Sequence, residues 1–251
     1  MAGIGFRAPP FVTGQMILDA ERHFASVWPE EGVGFLLATG FKPVANIAEN
    51  KETHFAIAPA EWLLAEGPIL AILHSHPRTD PVPSEADMRS QIDSNVPWGV
   101  MQSSAEGCSD PTWFGDQLEP LPLLGRPFVH GVADCFALVR DYFRQTHGII
   151  LPDQPRDQDW FKKGQDFYAF YRDWGFSPVE TESDFANIRP GDCFLMKLRS
   201  PVLNHAGIYT GDGLILHHLE GYLSHHVPLH TWASHVALWV RHASLQVPEE
   251  G

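Results

Sequence analysis

Two hydrophobic periods alternate along the chain. In TGQMILDAERHFASVW, apolar residues fall at Met16, Ile17, Ala20, Phe24 and Val27. That spacing marks one face of a helix, with Thr13 as its cap and Pro29 as its stop. GVGFLLATG reads as a buried strand ending in glycine, and FAIAPAEWLL as a strand running into the start of a helix. PILAILHSHP is a strand: Ile69, Leu70, Ala71, Ile72 and Leu73 form an unbroken apolar run closed by Pro77. SEADMRSQIDS opens a helix and VPWGVMQS is a further strand.

Residues 103–126 interrupt both periods with Gly, Ser, Asp and Pro, and are expected to be a linker. Beyond them, DCFALVRDYFRQTHG is an amphipathic helix with Phe136, Leu138, Val139, Tyr142 and Phe143 on its apolar face and Gly148 at its end. Residues 152–175 are polar, aromatic and acidic, and are expected to be helical in part. RPGDCFLMKL, HAGIYTGDGLILHHLEG and HVALWVRH read as strands joined by tight turns such as Gly211-Asp212-Gly213. The expected organisation is an α/β domain over 1–102, a proline-rich linker over 103–126 and an α+β domain over 127–251.

Composition narrows the class. With 251 residues and 44% apolar content, the chain can bury two ordinary cores. Its formal net charge of -14 argues against nucleic acid or anionic lipid as a partner. No apolar run reaches the roughly 18 residues that span a bilayer. The opening MAGIGFRAPPFVTGQM has no basic region followed by an apolar stretch, so no signal peptide is expected. Cys108, Cys135 and Cys193 are too few for a disulfide framework and are expected to be reduced thiols.

Two constellations carry chemistry. His74 and His76 stand two apart on a strand, so both imidazoles leave one face. Asp87 on the next helix can supply a third ligand to zinc, leaving a position for water. Glu31 is the candidate base and Ser84 the candidate partner of an oxyanion. Ser84-Glu85-Ala86-Asp87 also fits a helix capping box, and the two roles are compatible. In the second half, Cys135 begins a helix, where the partial positive charge favours a thiolate. His205 is its candidate base, and His217, brought back by hairpin pairing, would orient that imidazole. The other reading of a lone cysteine is a small buried hydrophobe, which is the expectation for Cys108 and Cys193. His218, His225, His226, His230 and His235 are too irregularly spaced to read as a second metal site.

The spacing Glu31…His74-Ser-His76-Pro-x6-Ser84-x2-Asp87 resembles the JAMM motif of the MPN/JAB metallopeptidases over residues 14–102. The resemblance implies a cytidine-deaminase-like α/β fold, zinc on His74, His76 and Asp87, Glu31 as general base and Ser84 at the oxyanion. Val33 stands where bacterial members often have cysteine. From 127 to 242, D-C-F-A-L-V-R-D-Y-F, R-P-G-D and N-H-A-G-I-Y-x-G-D-G-x-I-L-H resemble the NlpC-type cell-wall peptidases, which are papain-like. That implies Cys135 as nucleophile, His205 as base and His217 as third member, cutting amide bonds in peptidoglycan stem peptides. Phe136 departs from the serine that many members carry.

The tandem itself, with L-L-G-R-P-F-V-H-G between the halves, resembles the tail-tip assembly protein K family of lambda-like phages. The resemblance implies other tail-tip proteins as partners, assembly in the host cytoplasm, and the virion tail tip as a site of cell-wall cutting. The competing expectation is a tail-assembly factor that keeps both folds without chemistry.

Overall fold

The computed structural model describes residues 8–160, 162–181 and 185–246. Residues 1–7, the start of the segment read for a signal peptide, lie outside them. The chain divides into two compact units, Met1–Glu119 and Pro120–Gly251. Among the described residues no helix is long and apolar enough to cross a membrane.

The first unit runs α1 (Gly14–Val27), β1 (Val33–Leu37), β2 (Gly40–Val44), α2 (Pro59–Leu63), β3 (Ala71–Pro77), α3 (Glu85–Ser94), β4 (Trp98–Ser104), β5 (Gly107–Cys108) and β6 (Thr112–Phe114). Thr13 caps α1 by accepting from the Met16 amide. Its buried stripe is Met16, Ala20 and Phe24, at i, i+4 and i+8, packed on Leu36, Ala71, Leu73, Met101 and Trp113. The sheet order is β2-β1-β3-β4-β5, with β6 also on β4. β3 pairs antiparallel with β1 and parallel with β4, and all seven of its residues are buried. A strand covered on both faces needs an unbroken apolar run rather than alternation. The expected strand over Phe55–Ala58 does not form; only the helical part of that segment, α2, does.

The linker expected at 103–126 is corrected by these pairings. β4 extends to Ser104, and β5 and β6 both hydrogen-bond back onto it. The glycines that suggested a linker mark tight reversals, with Gly107 at φ 147° and Gly115 at φ 122°. The last part of the segment belongs to the second unit: the Gly125 amide donates to the Ser224 carbonyl and the Ser224 amide to the Arg126 carbonyl.

The second unit runs α4 (Cys135–Tyr142), a single π-helical turn (Phe143–His147), α5 (Phe167–Asp173), β7 (Phe176–Pro178), β8 (Cys193–Met196), β9 (His205–Gly211), β10 (Leu214–His217), β11 (His225–Pro228), α6 (Leu229–Trp232) and β12 (Val236–His242). Its sheet order is β11-β10-β9-β8-β12-β7, with every pairing antiparallel. Along β8 the side chains alternate between two cores. Cys193 and Leu195 pack with Phe136, Leu138 and Val139 of α4, while Phe194 and Met196 pack with Ile215 and Trp239 on the opposite face.

Gly207 lies opposite Phe194 on one side and His217 on the other. A methyl group there would come 2.4 Å from Phe194 Cζ and 2.5 Å from the Leu216 carbonyl oxygen. Gly207→Ala is therefore expected to lower unfolding stability by about 1–3 kcal/mol, as overpacking does. Denaturant unfolding checks this, and an unchanged midpoint would contradict the packing described here.

Candidate functional sites in each unit

In the first unit, β3 alternation turns Leu73 and Ser75 toward α1 and sends His74 and His76 out on the other face. Phe55 and Trp98 flank His74, with ring centroids at 5.0 and 5.7 Å. Helix α3 begins at Glu85 under a complete capping box: Ser84 Oγ accepts from the Asp87 amide at 3.2 Å, and Asp87 Oδ2 accepts from the Ser84 amide at 2.8 Å. This fixes the Asp87 carboxylate against the histidines. Its Oδ1 lies 3.5 Å from His74 Nε2 and its Oδ2 3.3 Å from His76 Nε2, and the two imidazole nitrogens are 3.2 Å apart.

All three residues are buried, and their ligand atoms lie within 4.8 Å of one another. Two imidazole nitrogens and a carboxylate oxygen converging this closely are a donor set that suits zinc. The Ser84 hydroxyl donates to Asp87 Oδ2 at 2.7 Å, so its proton is directed at the carboxylate.

Glu31 reaches the same place by register. Val33 pairs with His74, and the Ser75 amide donates to the Gly32 carbonyl, which continues the ladder and sets Glu31 opposite His76. Glu31 is 6% exposed. Burial raises its carboxyl to about 7; His76 pulls it down and Asp87 pushes it further up. Asp87 is held well below the usual carboxylate range, since the two histidines outweigh its burial.

In the second unit, Asp134 caps α4 by accepting from the Ala137 amide, and Cys135 is the first helical residue. The residue is partly exposed, while its sulfur is turned inward. A hydrogen bond from the Ala206 backbone helps lower its pKa, which places the sulfur one residue from His205. His205 Nε2 lies 3.2 Å from His217 Nδ1, both residues being buried. The hairpin β9–β10 creates this contact, through a register shift at Leu214/Ile215 that leaves His217 opposite Gly207. Trp232 of α6 stands edge-on to His217 at 4.9 Å.

The shifts at this site run against the expectation of a resting thiolate. Burial, and then the Asp134 charge, push Cys135 up to about 12, against the Ala206 backbone, Arg156 and its own backbone. The field of a helix N-terminus is worth about 0.3–1 kcal/mol, less than the roughly 1.4 kcal/mol that moves a pKa by one. Burial, followed by the charges of His217 and His218, lowers His205 to about 3. Burial likewise lowers His217 to about 4, with His225 and His218 adding to it. The Cys135 and His205 shifts both run toward a neutral thiol and a neutral imidazole. Burial raises Cys108 to about 11 and Cys193 well above its ordinary value. Among the described residues, His218, His225, His226, His230 and His235 form no metal-holding group.

Arg156 escaped the reading of the sequence. It is buried and bonds Asp134 directly beneath the start of α4. No local motif marks it; its guanidinium carbon lies 4.5 Å over the Phe136 ring.

Comparison with known proteins agrees with this architecture. Residues 13–113 match the prokaryotic homologs of the JAB domain, and residues 125–241 match the NlpC/P60 family. The fold is therefore a JAB-type α/β domain followed by an NlpC/P60-type domain. The chain is 37% identical over 222 residues to the tail tip assembly protein K of Escherichia phage N15, covering 85% of this chain and 88% of that one. It is 39% identical over 172 residues to the protein of the same name from Escherichia phage lambda, covering 67% and 79%. The chain belongs to the tail tip assembly protein K family. A Staphylococcus aureus crystal structure described as similar to a lipoprotein of the NLP/P60 family is 19% identical, with a TM-score of 0.32. It covers 47% of this chain, which spans 37% of that one, and the likeness is too slight to add to the assignment.

A neutral resting pair has a spectroscopic consequence. At neutral pH the ultraviolet difference between the protein and its Cys135→Ser variant is expected to lack a thiolate band, with the band growing only in strongly alkaline solution. A band that titrates in the acid range would show an ion pair instead.

Proposed function

We propose that this protein works in phage tail-tip assembly alongside other tail-tip proteins and carries two hydrolytic sites. One is a cysteine peptidase site acting on amide bonds in peptidoglycan stem peptides; the other is a zinc-dependent peptidase site. The observation that carries this reading is the 3.2 Å His205–His217 contact, one residue from the backbone that holds the Cys135 sulfur. Assembly takes place in the host cytoplasm, and the virion tail tip brings the cysteine site to the cell wall.

At the cysteine site, the Cys135 sulfur meets the substrate carbonyl. His205 Nε2–H donates to His217 Nδ1, and this tautomer leaves His205 Nδ1 unprotonated as the base. His205 takes the thiol proton as sulfur attacks and returns it to the leaving amine; water then releases the acyl group from sulfur. The Cys135 amide, in the first turn of α4, faces its own sulfur at rest and would turn to the oxyanion once that sulfur has bonded the substrate carbon. A pair that is neutral at rest ionises only when substrate displaces water and the proton moves within the site.

At the other site, His74, His76 and Asp87 would hold zinc. Bound zinc supplies Lewis-acid chemistry. Glu31, set opposite His76, would take the proton of the attacking water and hand it to the leaving amine. Ser84, whose hydroxyl donates to Asp87 Oδ2, would be the donor to the oxyanion.

The neutral thiol–imidazole pair also favours a second reading, in which both folds serve assembly alone. The two readings separate on purified peptidoglycan followed by mass spectrometry. The first expects released stem-peptide fragments that vanish with Cys135→Ala or an alkylating agent and survive a chelator. It also expects about one zinc per chain, lost in His74→Ala. No fragments, together with normal infectious particles from both variants, would establish the second.

A further inference from the structure

Beneath the start of α4 lies a buried ion pair that neither site uses. Asp134 is 3% exposed and Arg156 2%. Arg156 donates to Asp134 Oδ2 from Nη2 at 2.7 Å and from Nε at 3.0 Å. Its Nη1 donates to Asp153 Oδ1 at 3.0 Å and to the Gln154 carbonyl at 2.9 Å. Asp134 meanwhile accepts from the Gly131 and Ala137 amides. The guanidinium carbon sits 4.5 Å over the Phe136 ring. Cys135 is thus bracketed: the residue before it carries the anion, and the residue after it carries the ring under the cation.

Such a pair is weak evidence for stability, because desolvation offsets most of its attraction and an apolar replacement of the same volume is often neutral. Its place in the fold suggests another role. A capping carboxylate next to a thiol opposes ionisation of that thiol, and a cation bonded to the carboxylate cancels the effect. Asp134 and Arg156 act on Cys135 in these opposite senses. The other groups close to this cluster are Asp153 and His130 around the ion pair, Tyr171 of α5 with Cys193 of β8, His218 with Arg126, and His205, next to the Ala206 backbone that bonds the sulfur. Among the described residues, Arg156 is the cation that acts on the thiol.

We propose that Arg156 is a positioning residue for Cys135: it neutralises the carboxylate that caps the thiol's helix and stacks on the ring that follows the thiol. This rests on Cys135 being the nucleophile, and it assigns to a segment outside the motif a part in setting how readily that nucleophile ionises.

The test is the pH dependence of Cys135 alkylation by iodoacetamide in the full chain, followed by peptide mass spectrometry, with Cys108 as internal control and circular dichroism as the check on folding. Arg156→Gln leaves Asp134 unopposed and is expected to slow the reaction. A thiol made tenfold harder to ionise reacts about threefold more slowly, because greater basicity returns part of its nucleophilicity. Asp134→Asn keeps an oxygen for the Ala137 amide, removes the anion and is expected to speed the reaction by a similar factor. The double variant returns close to the parent rate, and Arg156→Lys recovers most of it. Single variants that shift the rate in the same direction, or leave it unchanged, would overturn the proposal, since a purely structural brace has no reason to respond with opposite signs. Should Arg156→Gln not fold, Asp134→Asn decides alone: a rate unchanged or slower overturns it. No peptide cleavage enters this readout, so an absence of peptidase activity is a separate result.

Discussion

Both candidate sites depend on how a helix begins. In the first unit the Ser84–Asp87 capping box starts α3, and in the second the Asp134 cap starts α4. A helix start leaves backbone N–H groups without acceptors, and a side-chain oxygen that satisfies them has little freedom left. Asp87 is held this way against two histidines of β3, and Cys135 is held one residue past its cap against the backbone beside His205. Strand register supplies the rest: β1–β3 pairing carries Glu31 to His76, and β9–β10 pairing carries His217 to His205.

Burial then acts differently in the two places. Asp87 is buried among two imidazoles, whose attraction outweighs desolvation and keeps it ionised. Glu31, one step away, lacks so favourable a surrounding and rises to about 7. Around Cys135, burial wins over helix start, backbone and Arg156 together. A metal centre asks for an anion at rest, and the first site has one. A cysteine site can begin neutral, provided the imidazole stands ready to take the proton as the substrate closes over it.

Much of this was legible in the sequence. The stripe of α1, the apolar run of β3 and the amphipathic α4 each bury enough side chains to force their period on the chain. Spacing along strands and helix starts singled out eight candidate residues, and folding brings His74, His76 and Asp87 together and sets His205 against His217. The short strands β5 and β6 were not: two or three residues carry no period, and their glycines imitate a linker. The thiol's resting state was also hidden, because desolvation depends on what α5 and the sheet stack around it. Arg156 lay in a polar stretch whose partner, Asp134, is distant in sequence, and such pairs leave no local trace.

The claim that helix starts gather each site's groups is tested most directly by a crystal structure of the protein soaked with zinc and measured at the zinc absorption edge. The account predicts one anomalous peak bound by His74 Nε2, His76 Nε2 and the Asp87 carboxylate, with the Ser84 cap intact. A peak among the exposed histidines of β11 and α6, with none on β3, would contradict it.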